Sequence, residues 1–316
     1  MNPAWSVILL TTLTGVSQGL FIALFAAELA GYAGRGGTGF GFFAIGGVLA
    51  LAFAAGGLGA SFFHLGRPER AWRTAAMWRT SWLSREVVIL PLFMAGVFFW
   101  ITGHVTGAWP TRALGAATAL SALLLFLCTA MVYASIRFLA EWASAWTLVN
   151  FTLLGLASGC TLAAALAGAR APALVPDLCT AAVALTLGGL VTRLLSLRRN
   201  ARLAPRSTLQ SAIGIRHPVI RQRAMGFMGG SFNTREFFHG RSPGTLRWVR
   251  GFFLMAGFVL PALTMGLVLG IGFSHLTHQA LLALAFAVQM LGLVAERWFF
   301  LAQANHPQNL YYQAVS

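Results

Sequence analysis

Two titratable residues stand out in a chain that is otherwise almost free of charge. The segment from Phe62 to Glu86 reads FFHLGRPERAWRTAAMWRTSWLSRE, with His64 closing one long apolar run and Glu86 opening the next. Arg67, Arg70 and Arg85 lie between or beside them. Ionisable side chains in apolar segments are costly, so by default they mark function. An imidazole close to guanidiniums tends to stay neutral, and a carboxylate there tends to stay ionised. A neutral imidazole can accept a proton or donate a hydrogen bond to a carbonyl. These properties suit the oxidation or reduction of a quinone, which presents two oxygens and exchanges two protons. The same residues also fit a role without chemistry, as an interfacial histidine and a helix-opening glutamate favoured by the macrodipole. Tyr133 and Arg137, at the end of a later apolar run, stand where they would line the same pocket. Trp72, Trp78 and Trp82 would line it too, or form an interfacial aromatic belt.

The elements that hold these residues follow from composition. The chain is 58% hydrophobic and 9% charged, against roughly 25% charged in a soluble domain. Continuous apolar runs of about 20 residues span a bilayer, and hydropathy predicts eight of them, at 5–31, 40–64, 84–107, 113–139, 145–168, 174–196, 247–273 and 277–301. The fold class is therefore all-α: a polytopic membrane protein of eight bundled helices. The first run lacks the short apolar core and cleavage site of a signal peptide and is expected to remain as a span. Turn chemistry at Gly34–Gly39, Gly66–Pro68, Gly107–Pro110 and Ala171–Pro176 separates the runs. Gly46, Gly47, Gly56, Gly57, Gly188 and Gly189 inside them would permit close helix packing.

Eight spans place both termini on one side, here called side A. It carries Arg67, Arg70, Arg73 and Arg79 in the 65–83 loop, Arg137, and a region from Arg193 to Arg250 with twelve arginines and one acid, Glu236. The opposite side, B, carries only Arg35, Arg112 and Arg170. Positive residues stay in the cytoplasm, so both termini and the long basic loop are expected there, in the inner membrane of a bacterium. The domain reading is six spans over 1–196, a basic docking loop over 197–246, and two spans with a tail over 247–316. The docking loop is too polar to span and too long for an ordinary connection. Phe227, Phe232, Phe237 and Phe238 suit an ordered platform for a cytoplasmic protein. Contact with anionic lipid and a disordered tether are the other readings.

Several functions are set aside. The net charge of +15 could indicate nucleic acid, but in a membrane protein orientation and docking of an acidic partner account for it, and no nucleic-acid partner is expected. All basic residues other than histidine are arginine, which a GC-rich genome would produce. Cys128, Cys160 and Cys179 lack metal-ligand spacing and read as small buried residues, so no metal site is expected. Bis-histidine haem needs facing histidines at similar depth. His64 falls on side A, whereas His104, His275 and His278 fall on side B, so no haem is expected. Gln18 and Gln289 read as interhelical hydrogen-bonding residues. Glu28, close to side B, and Glu296, close to side A, are weak candidates for a mid-membrane proton carrier. A secondary transporter or lipid-binding protein is the reading from another functional class.

The sequences His64-Leu65-Gly66-Arg67-Pro68-Glu69-Arg70-Ala71 and Leu83-Ser84-Arg85-Glu86, set in an eight-helix layout, resemble the DmsC family, the membrane-anchor subunits of dimethyl sulfoxide reductase. The resemblance implies a quinone site (ubiquinone or menaquinone) and no haem in this chain. It also implies an iron–sulfur electron-transfer subunit and a molybdopterin catalytic subunit as partners. It carries quinol binding and oxidation over to His64 and Glu86, and Arg70 matches a basic position of the motif; by position, Arg67 would join Arg70 in holding the head group or the docked subunit, with Tyr133 and Arg137 lining the pocket. The basic loop is longer than that pattern, and side A reads as cytoplasmic. GFMGGSFNTREFFHG and ERWFFLAQANHPQNLYYQ resemble instead the SoeC-type anchors of cytoplasm-facing sulfite dehydrogenases. That resemblance implies electrons from sulfite oxidation passing to quinone. A quinol-oxidising anchor is the alternative.

Overall fold

The computed structural model describes residues 1–32, 39–204, 207–221, 223, 237–271 and 274–311. Eight helices are long and apolar enough to cross a membrane. They are α1 (Trp5–Leu29), α2 (Gly39–Ser61), α3 (Trp82–Thr106), α4 (Thr111–Ala134), α5 (Ala145–Arg170), α6 (Val175–Asn200), α7 (Pro243–Gly270) and α8 (His275–Ala302). A 25-residue helix such as α1 is roughly 37 Å long at 1.5 Å per residue. Large apolar residues such as Leu92, Phe98, Leu120, Leu263 and Leu291 are exposed along the helices, as a lipid-facing belt requires. No strand occurs among the described residues.

The helix ends follow local chemistry. Ser81, Ser144, Ser242 and Ser274 cap the starts of α3, α5, α7 and α8, each side chain accepting from a backbone N–H. Gly107 ends α3 with φ 67°, the left-handed conformation that favours glycine. α4 stops at Ala134, short of the predicted 139, because residues 135–144 turn back on themselves: Ile136, Leu139 and Trp142 donate to carbonyls three residues earlier. The apolar character of Ile136, Phe138 and Leu139 reflects this packed turn. α6 runs on to Asn200, beyond the predicted 196. In α7, Pro261 has no N–H to offer the Gly257 carbonyl, and the preceding Met255–Val259 adopts a π-turn, with Leu260 N–H donating to Met255 O. The 65–83 loop contains a 3-10 helix, Pro68–Met77.

α1 and α5 form the centre of the bundle, each two-thirds buried along its apolar window. They cross at Gly15 and Gly19 against Gly155 and Gly159: a Cβ on Gly159 would lie 2.0 Å from Gly19 C, and one on Gly19 would lie 2.0 Å from Gly155 O. Such small residues, four apart on both helices, let backbones touch. Gly257 and Gly292 do the same for α7 and α8. Of the glycines expected to pack, Gly46, Gly47 and Gly57 face neighbouring side chains closely, whereas Gly188 meets nothing within 4 Å. Ser17 ties α1 to α2 through a 2.6 Å bond to Ala50 O. Gln289 donates to Thr186 across α8 and α6, the interhelical role expected of it. The three cysteines are buried and free.

The start of the chain meets the segment after α8 on side A: the Met1 ammonium donates to Ala304 O at 2.7 Å. Arg199 reaches Ala140 O in the α4–α5 turn at 3.0 Å, and Asn200 reaches Glu141 O. His306 stacks on Phe237 at 4.0 Å and meets Phe138 edge-on.

Candidate functional site

Glu86 lies in the first turns of α3, in phase with Leu90, Phe93, Val97 and Trp100 on the buried stripe of that helix. This alternation of four and three residues is the helical core period, so the carboxylate faces into the bundle. It is 7% exposed. Thr129, from the facing stripe of α4, donates its hydroxyl to Glu86 Oε1 at 2.7 Å. Arg85 points away, because adjacent helix residues do not share a face. Its guanidinium covers the Trp82 ring at 4.2 Å and donates to Trp78 O at 2.9 Å and Arg79 O at 2.8 Å. Arg85 thereby fastens the end of the 65–81 segment to α3.

The arginines that lie near Glu86 in the sequence do not meet its carboxylate. Among the described residues no guanidinium forms an ion pair with it. Arg67 and Arg70 are exposed, and Arg70 approaches only Glu69, at 3.9 Å in solvent, a pair of little energetic weight. Arg137 is exposed in the α4–α5 turn. The His64 backbone closes the turn Phe62–His64 after α2; its side chain lies outside the described residues, as do Phe227 and Phe232 of the long loop and the 33–38 connection. Tyr133 is enclosed by the rings of Trp142, Phe151 and Phe300, with centroids 5.3–5.5 Å away. It lies one helical turn beyond Thr129 on the buried stripe of α4.

Two buried polar clusters escaped the sequence reading. On side A, Arg193 of α6 contacts Glu296 of α8 at 2.7 Å, and Arg297 lies 3.4 Å from the same carboxylate. Arg297 also covers the Phe151 ring at 3.6 Å. Arg193 and Glu296 are each 1% exposed, so Arg193, counted among the side-A arginines, is buried in the bundle and not on that surface. On side B, Glu28 accepts from Trp100 Nε1 at 2.8 Å and from the Thr111 hydroxyl, with His104 Nε2 at 3.5 Å. His104 stacks on Phe43 at 4.9 Å. Neither cluster has a local signature, since the partners come from helices far apart in sequence. The available signal was an ionisable residue inside an apolar helix, as Arg193 lies seven residues before the end of α6 and Glu296 six before the end of α8.

The side-A surface carries two neighbouring cavities of about 440 and 400 Å³, which share Asn305 and Asn309. The first is walled by Met1, Phe237, His239 and Arg241, the second by Phe138, Glu141, Asn200 and His306. Burial pushes the Met1 α-amino group down to about 6, against the pull of Glu141. It also lowers His239 and His306, helped by the nearby N-terminal charge.

The arrangement can place one exchangeable proton on Glu86, inside an apolar helix interface close to a surface rich in arginine.

Residues 1–215 match the family model for the DMSO reductase anchor subunit (DmsC). The chain is also similar to a subunit of the sulfite dehydrogenase of Allochromatium vinosum, with 51% identity over an alignment covering 100% of both chains. With eight membrane-length helices and the family match over most of its length, this chain belongs to the DmsC family of membrane-anchor subunits.

Proposed function

We propose that this subunit anchors a three-subunit molybdenum enzyme on the cytoplasmic face of the membrane and passes electrons from sulfite to quinone. In the catalytic partner, sulfite and water give sulfate, two protons and two electrons. An iron–sulfur partner docked over the 65–83 and 197–246 segments carries the electrons to side A. There a quinone between α2, α3 and α4 takes two electrons and two protons to become a quinol. Glu86 and His64 supply or relay the protons, Arg67 and Arg70 position the head group or the partner, and Tyr133 and Arg137 border the pocket.

The observation that carries this reading is the buried Glu86 carboxylate, held by Thr129 near the side-A end of α3. The substrate is supported by the full-length similarity to the Allochromatium vinosum sulfite dehydrogenase protein. Orientation rests on the arginines of the short side-A connections. The test is the purified complex assayed with sulfite against a quinone and against a soluble dye. His64→Ala and Glu86→Gln should assemble, keep dye reduction and lose most quinone reduction. Full quinone turnover in assembled variants rejects the site. A reporter fused after Ser316 should be active only in the cytoplasm; a periplasmic C-terminus would favour an exported, quinol-oxidising reductase.

A further inference from the structure

The Arg193–Glu296–Arg297 cluster has two guanidiniums and one carboxylate, and it is almost entirely removed from solvent. Arg193 Nη2 and Arg297 Nη1 have no hydrogen-bond partner among the described residues. Counted back from the side-A ends of α6 and α8, the cluster lies roughly 10 Å inside the bundle. Stability does not explain it. Burying a balanced ion pair rarely beats an apolar pair of the same size, and burying an unbalanced one is worse. An intramembrane charge with spare donors is a feature retained for use. Its neighbours indicate that use: the Arg297 guanidinium lies on the Phe151 ring, Phe151 packs against Tyr133, and Tyr133 lies one turn beyond Thr129, the donor to Glu86, on the buried stripe of α4. The net positive charge therefore sits one aromatic layer behind the proposed quinone site.

We propose that the Arg193–Glu296–Arg297 cluster is a fixed cation of the quinone site, stabilising negative charge on a bound quinone and so favouring the arrival of electrons. The inference rests on the quinone reading above. Arg297 and Arg193 act as electrostatic positioning residues; neither need touch the quinone. A unit charge at roughly 10 Å in a protein interior changes the binding of an anion by on the order of tenfold.

The test measures equilibrium binding to the assembled complex in nanodiscs. The probes are an alkyl hydroxynaphthoquinone, an anion at neutral pH, and its neutral methyl ether. Arg193→Gln and Arg297→Gln should each weaken the anion about tenfold and the ether less than about twofold. Arg297→Lys should restore most of the difference. Glu296→Gln, which raises the cluster's charge, should tighten the anion instead. Opposite signs for arginine and glutamate variants are not expected of a purely structural role. If Arg297→Gln does not fold, Arg193→Gln and Glu296→Gln still provide both signs. Equal effects on both probes, or no effect, would overturn the inference while leaving the quinone site intact. Failure of the wild-type complex to bind either probe would overturn the quinone reading and this inference together.

Discussion

Replacing Gly159 by alanine adds one methyl group where α5 crosses α1. The new Cβ would lie 2.0 Å from Gly19 C, 2.1 Å from Leu20 N and 2.4 Å from Gly19 Cα. All three atoms are backbone, so no side chain can turn aside. Ordinary contact begins at 3.4 Å, and the two helices must part by roughly 1.4 Å at the crossing. Overpacking of this kind costs about 1–3 kcal/mol, and the upper end applies where backbone meets backbone. The displacement would also strain the Ser17 bond to Ala50 that fixes α2. Gly188→Ala is the control: its Cβ meets nothing within 4 Å, and alanine gains about 0.5–1 kcal/mol over glycine within a helix. The assay is unfolding of the detergent-solubilised chain by SDS titration, followed by tryptophan fluorescence. Gly159→Ala should unfold about 3 kcal/mol sooner than the wild type, and Gly188→Ala at the same point or later. If Gly159→Ala proved as stable as Gly188→Ala, the α1–α5 crossing as described would be wrong.

Three further outcomes are expected. Thr129→Val removes the hydroxyl that donates to Glu86 Oε1, at nearly constant volume. Loss of a hydrogen bond to a charged group costs about 1.5–3 kcal/mol, so quinone-coupled turnover should fall about tenfold or more with dye reduction unchanged, and Thr129→Ser should recover it. Arg85→Ala frees the carbonyls of Trp78 and Arg79; trypsin should then cleave after Arg79 about fivefold faster, for a loss of about 1 kcal/mol at a half-exposed site. The Met1 α-amino group, lowered from 8.0 to about 6 by burial, binds fewer protons folded than unfolded in that window, so its contribution makes stability rise between pH 6 and 8. N-terminal acetylation should flatten this part of the pH–stability profile; an unchanged slope would show that the amine is not buried.

The eight spans were legible because each is an apolar run of membrane length bounded by turn residues, and Glu86 was legible because it is a lone acid at the start of one. Its stripe partners Leu90, Phe93, Val97 and Trp100 were present in the sequence, and their phase with Glu86 already pointed the carboxylate inward. The α1–α5 crossing was not legible. Gly15, Gly19, Gly155 and Gly159 show the right spacing, but nothing local says which two helices meet. The same holds for Glu28 with His104 and for Arg193 with Glu296, whose partners lie across the bundle. Arg193 counts among the side-A arginines in the sequence, but α6 continues to Asn200, which leaves Arg193 inside the helix. Arg67, Arg70 and Arg85 lie near Glu86 in the sequence, but helix geometry turns Arg85 outward and leaves Arg67 and Arg70 exposed.

The location of the quinone is the claim on which the rest depends. Photolabelling of the assembled complex with an azidoquinone, followed by peptide mapping, tests it directly. Label should fall on the side-A ends of α3 and α4, around Glu86 and Thr129. Excess quinone should compete it away, and Glu86→Gln should diminish it. Competable label concentrated instead on side B, around Glu28 and His104, would contradict a quinone at Glu86.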